Sequence, residues 1–171
     1  MIGAMIDDAI RDMAARVLDA CRTHGLKVAT AESCTGGLVA GALTEIPGSS
    51  DVLDRGFVTY SNAAKHAMLG VPTSILERHG AVSRETADAM AAGALAIANA
   101  DLAVAITGIA GPGGGSAEKP VGLVHFAAAA RDGRRLHGEK RYGDVGRSAV
   151  RREAVVEALA LLEMLAASAR T

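Results

Sequence analysis

The chain has 171 residues and a formal net charge of −1, a length that suits one domain with a substantial core. Half of the residues are apolar, yet aromatics make up only 2% and Trp is absent, so the core falls to Ala, Val, Leu, Ile and Met and base-stacking platforms are excluded. Lys and Arg are scattered rather than massed, which argues against nucleic acid and membrane surfaces as partners.

Cys21 and Cys34 form neither a metal-spaced cluster nor a disulfide framework, so both read as free thiols in a reducing compartment. Met1 to Met5 is mildly apolar but meets Asp7-Asp8 at once, without the basic start and apolar run of a signal peptide. Charged residues interrupt every stretch that approaches the roughly 20 apolar residues of a membrane span. The expectation is a soluble cytoplasmic protein.

In chain order, Ile10, Met13, Ala14, Val17, Leu18 and Cys21 repeat at helical spacing between Asp7 and Arg22, and Gly25 supplies the stop. Leu26 to Ala31 reads as a short buried strand and Gly37 to Ile46 as a small-residue helix ended by Pro47-Gly48. Between them lies Ser33-Cys34-Thr35-Gly36-Gly37, where a strand end turning into a helix brings a nucleophile, free backbone N–H groups and positive helix-dipole character to one point. A hydroxyl there also serves as an ordinary N-cap. Gly56 to Tyr60 is a second strand by its β-branched and aromatic content, followed by polar Ser61 and Asn62 and a helical stretch from Lys65 towards Leu69. Thr73 to Arg78 makes a short helix after Pro72, and Ser83 caps a long one with an Ala-rich buried stripe. Asp101 to Ile106 is a central strand that empties into the glycine-rich Thr107–Ser116. Val121 to Ala130 and Arg134 to Tyr142 form a hairpin through Asp132-Gly133, and Ser148 to Ala167 is the last helix.

Strands separated by helices, with one terminal hairpin, predict an α/β fold: a three-layer α/β/α sandwich on a mixed, mostly parallel sheet of about five strands, one domain over residues 1–171. Such sheets bind ligands outside the carboxyl ends of their strands, and the unusual residues follow the first three strands. The Ala- and Leu-rich helices offer a self-complementary face, so a homo-oligomer is expected.

The glycine loop lacks the Walker ending and the dinucleotide-binding spacing, and His24, His66, His79, His125 and His137 show no ligand pairing on a helix face. No metal and no cofactor are expected. No His lies in the three loops, so a Ser-His-Asp triad has no base. Ser33 with Tyr60 and Lys65 remains: a lysine has an ordinary pKa of about 10.4, burial near cations or apolar walls can bring such a group down to about 7–8, and a neutral Lys65, directly or through the Tyr60 phenol, could then deprotonate Ser33 for attack on a carbonyl. Cys34 is the adjacent rival nucleophile.

Four stretches then resemble the CinA C-terminal domain family: Thr30–Gly37, Arg55–Asn62 with Lys65, His79–Ser83, and Thr107–Pro112 continuing through Lys119–Gly122. The resemblance covers nearly the whole chain in order. Stand-alone bacterial members of the family include nicotinamide-nucleotide amidohydrolases; pyrophosphatase chemistry belongs to an additional N-terminal domain of longer members. The resemblance implies hydrolysis of nicotinamide mononucleotide to nicotinate mononucleotide and ammonia, with Ser33 as nucleophile and Tyr60 and Lys65 as its activators. The substrate contacts it implies are Thr35, Gly36, Gly37, Thr107, Gly108, Gly111, Gly113, Gly114 and Arg147. Two positions depart from the family pattern: Gly113 stands where relatives often have Asp, and Gly143–Arg147 is two residues longer than the family's Gly-Asp-Arg. The alternative is a regulatory module that binds a nucleotide or phosphate without turning it over.

Overall fold

The computed structural model describes residues 5–169; most of the Met1–Met5 stretch lies outside the described residues. Six helices and five strands run α1 (Asp8–Thr23), β1 (Val28–Glu32), α2 (Leu38–Thr44), β2 (Leu53–Val58), α3 (Asn62–Leu69), α4 (Thr73–His79), α5 (Arg84–Ile97), β3 (Leu102–Gly108), β4 (Leu123–Ala130), β5 (Arg135–Arg141) and α6 (Arg147–Ala167). Asp7 caps α1 through Ile10 N, Ser61 caps α3 through Ala64 N and Ser83 caps α5 through Thr86 N, so hydroxyl and carboxylate side chains define three of the helix starts.

The strands form one sheet in the order β2-β1-β3-β4-β5. β1 pairs in parallel with both β2 and β3, whereas β4 is antiparallel to β3 and to β5, so β4 is the single reversed strand. The mixed sheet with one antiparallel member agrees with the sequence reading. Helices cover both faces, and the faces differ. Val28, Leu102, Val104, Ile106, Val124 and Phe126 point towards α1, α2 and α6. Ala29, Ala31, Ala103, Ala105, Ala127 and Ala129 point towards α5 and its neighbours. The period-two alternation of large and small residues therefore separates a thick aliphatic layer from a floor of methyl groups on which α5 lies close.

One strand is displaced from its expected place. β2 occupies Leu53–Val58 rather than Gly56–Tyr60. Its partner β1 ends at Glu32, opposite Val58, and the last rung is the Thr59 N–H donating to the Glu32 carbonyl at 2.8 Å. Beyond that point β2 has no partner to its inner side, so Thr59 and Tyr60 leave the sheet and Ser61 caps α3, which starts at Asn62, three residues before Lys65. The charged Asp54 and Arg55 mask the start of β2 in the sequence because this is an edge strand, with half its groups turned to solvent. Among the described residues no helix is long and apolar enough to cross a membrane.

Candidate functional site

The ends of β1, β2 and β3 lie at one edge of the sheet, because these strands are parallel neighbours. Ser33 follows β1 directly, and its N–H donates to the Ile106 carbonyl of β3 at 2.9 Å. The backbone that carries the hydroxyl is therefore an extension of the sheet rather than a free loop.

Lys65 comes to the same point from α3. It is only 1% exposed, among the largest of the fully buried side chains, and its Nζ lies 2.9 Å from Ser33 Oγ and 2.8 Å from the Thr59 carbonyl oxygen. A buried ammonium is expensive, and burial pushes the Lys65 pKa below its usual value of 10.5. The pair has the geometry of a hydroxyl and its base, with the Thr59 carbonyl orienting the amine.

Tyr60 is placed differently. Its side chain is 61% exposed, and its phenol oxygen accepts from Arg147 Nη2 at 2.7 Å, while Arg147 Nη1 donates to the Gly111 carbonyl at 2.8 Å. Arg147 is the first residue of α6, so this one side chain ties the last helix to the loops after β2 and β3. Ser33 and Lys65 meet without the phenol.

These residues surround a cavity of about 260 Å³, with Ser33, Cys34 and Lys65 on one side, Tyr60 and Arg147 at another, and Thr107, Gly108, Gly111, Gly113 and Gly114 from the end of β3 and the loop after it. Ala81 and Val82, ahead of α5, supply a further wall. Thr107 holds that wall in place, since its Oγ1 donates to the Ala81 carbonyl at 2.7 Å. Of the residues singled out in the sequence, Thr35, Gly36 and Gly37 lie outside this lining. Lys65 and Arg147 are the basic residues of the lining, which contains no carboxylate.

The reason Thr35 turns away is Glu32, which sequence reasoning passed over. Its carboxylate is fully buried behind the turn: Oε1 accepts from Thr35 Oγ1 at 2.7 Å and Val39 N at 2.9 Å, and Oε2 accepts from Ala40 N at 3.1 Å and Thr30 Oγ1 at 3.3 Å. The N–H groups that open α2 are thus taken by a side chain of the protein. The helix start was expected to offer them to a ligand, and neither Ser33 nor Thr35 is its N-cap. That position is Gly37, which has φ 99° after Gly36 at φ 59°, two successive left-handed residues that only glycine adopts freely. The signal for Glu32 was a carboxylate at the end of an otherwise small-residue, apolar strand. Arg151 of α6 grips the same turn from outside, donating from Nε to the Cys34 carbonyl at 3.0 Å and from Nη2 to the Thr35 carbonyl at 3.3 Å.

Cys34 is buried beside Ser33, and burial pushes its thiol up to about 11, so the sulfur is held protonated at neutral pH. Among the described residues no group of three or more His, Cys, Asp or Glu is arranged to hold a metal ion.

Comparison with known proteins identifies the family. The family described as the CinA C-terminal domain matches residues 10–166. The nicotinamide-nucleotide amidohydrolase PncC of Enterobacter agglomerans is 52% identical over 156 residues, covering 91% of this chain and 94% of that protein. PncC of Escherichia coli K12 is 50% identical over 159 residues, covering 92% and 95%. The crystal structure of the competence/damage inducible protein CihA of Agrobacterium tumefaciens has a TM-score of 0.92 at 60% identity, covering 94% of this chain and 97% of that one. A match along nearly the whole length, with the same fold, means that the chain belongs to the CinA C-terminal domain family.

Proposed function

We propose that the protein is an amidohydrolase that converts nicotinamide mononucleotide to nicotinate mononucleotide and ammonia, with Ser33 as nucleophile and Lys65 as general base. The observation that carries this reading is the buried 2.9 Å approach of Lys65 Nζ to Ser33 Oγ. A protein that only binds a ligand has no need to bury a lysine against a serine at the cost of its charge. The relatives named above as amidohydrolases suggest the substrate, and in this reading Arg147 and the Gly113-Gly114 turn of the cavity lining take the phosphate while Ser33 takes the carboxamide.

In the first step Ser33 Oγ bonds to the carboxamide carbon while its proton passes to neutral Lys65, and the carbonyl electron pair moves to oxygen. When that pair returns, the C–N bond breaks and the leaving nitrogen takes the proton from Lys65 and departs as ammonia. A water molecule then attacks the ester, giving one proton to Lys65, and the collapse of the second intermediate returns that proton to Ser33 and frees the carboxylic acid, which ionises by releasing its proton to solvent. The direct Ser33–Lys65 contact supports a base that works without the phenol of Tyr60, whose oxygen is engaged by Arg147. The Thr59 carbonyl holds the amine throughout. Thr35, Gly36 and Gly37 support the nucleophile from behind, and Thr107 sets the opposite wall.

The test is ammonia release from nicotinamide mononucleotide by the purified chain, with Ser33→Ala as control. Release by the wild type that collapses in Ser33→Ala at an unchanged melting temperature supports the reading. Saturable binding of the nucleotide with no ammonia from the wild type overturns it in favour of a non-catalytic binding module. A cytoplasmic location and a homo-oligomeric state belong to the same proposal and are read by fractionation and by sedimentation.

A further inference from the structure

The chain has only four aromatic residues, two Phe and two Tyr. Phe57 and Phe126 are buried in the core, and Tyr142 is half-buried with its hydroxyl donating to the Glu153 carbonyl at 3.3 Å. Tyr60 alone is displayed, and it is displayed at the cavity that holds Ser33 and Lys65. Its position is not left to chance: the phenol oxygen is held by Arg147 Nη2 and Arg147 is held in turn by the Gly111 carbonyl, so the ring is tethered to two neighbouring elements.

A second fact concerns charge. The ring of an N-substituted nicotinamide is a pyridinium cation, yet the cavity lining contains Lys65 and Arg147 and no Asp or Glu. A cation entering this space finds no carboxylate. What it does find in the lining is the phenol ring of Tyr60, and the electron-rich face of such a ring attracts a cation without competing for the protons of Ser33 and Lys65. A carboxylate at that place would also oppose the lowering of the Lys65 pKa that burial produces.

We infer that Tyr60 is the platform for the positively charged pyridinium ring, and that it makes the site selective for nicotinamides whose ring nitrogen is substituted and cationic over analogues with an uncharged ring. This inference rests on the amidohydrolase reading for its substrate class. It gives Tyr60 a role in binding rather than in proton transfer, and it divides the substrate between two tethered side chains, the ring on Tyr60 and the phosphate on Arg147.

Nicotinamide mononucleotide and its 1,4-dihydro form share ribose, phosphate and carboxamide and differ in ring charge. Both are titrated calorimetrically into full-length Ser33→Ala, Ser33→Ala/Tyr60→Phe and Ser33→Ala/Tyr60→Leu. The expected result is a preference of about tenfold for the cationic form in Ser33→Ala, in the range of a cation–π contact. That preference is largely kept with Phe and lost with Leu. Equal binding of the two forms to Ser33→Ala, or a preference that survives Tyr60→Leu, overturns the inference. A kinetic arm asks the rival question: Tyr60→Leu should raise KM more than it lowers kcat, whereas a hundredfold fall in kcat at unchanged KM in Tyr60→Phe returns the phenol to proton transfer and overturns the inference. If Ser33→Ala shows the ring preference while the wild type releases no ammonia, the amidohydrolase reading falls alone. If neither nucleotide form binds, both fall together.

Discussion

The carboxylate of Glu32 sits directly behind Thr35, accepting its hydroxyl proton at 2.7 Å while also receiving the Val39 and Ala40 N–H groups that open α2. The residue before Ser33 thus fixes the turn after it. Glu32→Ala leaves one buried and one half-buried backbone donor and two threonine hydroxyls without an acceptor, and each buried orphan costs about 1–3 kcal/mol. Allowing for partial rehydration, a loss on the order of 3 kcal/mol is expected, or a fall in Tm of roughly 6–12 °C for a chain of this size. Thermal unfolding followed by circular dichroism checks it; a Tm within 2 °C of wild type, well inside roughly 1 kcal/mol, would show that the network is dispensable.

Lys65 gives a prediction with a sign. Burial lowers its pKa from the usual 10.5, so the folded chain holds fewer protons than the unfolded chain between the lowered value and 10.5. This group's contribution to stability is therefore least favourable below the lowered value and improves as pH rises through that window. Activity follows the neutral amine, so log kcat/KM should climb with pH along a limb whose midpoint lies below 10.5. Lys65→Met removes the base and should cost about 10²–10⁴-fold in kcat. Because an apolar chain of similar length needs no desolvation of charge, Tm should be no lower than that of the wild type. A pH–rate profile and a melting curve read the two outcomes separately.

The two thiols should be silent. Burial pushes Cys34 up to about 11 and Cys21 up to about 12, which leaves roughly one thiolate in a thousand, or fewer, at pH 8. A chromogenic disulfide reagent should therefore label neither in the native protein within minutes and both in denaturant. Fast native labelling at Cys34 would restore it as the rival nucleophile beside Ser33.

Gly93 in α5 faces the Leu69 carbonyl at the end of α3, and a methyl group there would stand 1.9 Å from that oxygen. Gly93→Ala must push α3 away and should cost about 1–3 kcal/mol as an overpacked contact. Since α3 carries Lys65, kcat should fall together with Tm even though Gly93 does not line the cavity. An equally destabilising change on the opposite face, such as Leu162→Ala, should spare kcat at temperatures where the protein is folded.

Most of the architecture was legible because it rests on local rules. The hydroxyl cap at Ser83, the apolar run of β3 and the Asp132-Gly133 turn each leave a pattern within a few residues. The start of β2 was hidden, because an edge strand with Asp54 and Arg55 carries no alternation of burial strong enough to read. The Ser33–Lys65 pair could be suspected from the loops that carry it, but not its distance, which depends on how far α3 stands from the sheet. Glu32 was harder still: nothing in the chemistry of a glutamate says that it will turn inward, and its donors lie as far as Ala40 along the chain. The exposed setting of Tyr60 and its bond to Arg147, 87 residues away, depend wholly on tertiary structure.

The alanine floor beneath α5 works as a gauge. With nothing larger than a methyl group at Ala31, Ala103, Ala105 and Ala127, the sheet leaves room for the buried stripe of α5, Ala87, Met90, Ala91 and Ala94, to settle on it, and α3 meets α5 at Gly93. The reach demanded of Lys65 is thus written into residues that never meet a substrate. Relatives that exchange one of these alanines for a bulkier side chain would alter the spacing between an amine and a hydroxyl while leaving every group in the cavity unchanged, so differences in rate within the family are to be sought in the floor as well as in the cavity.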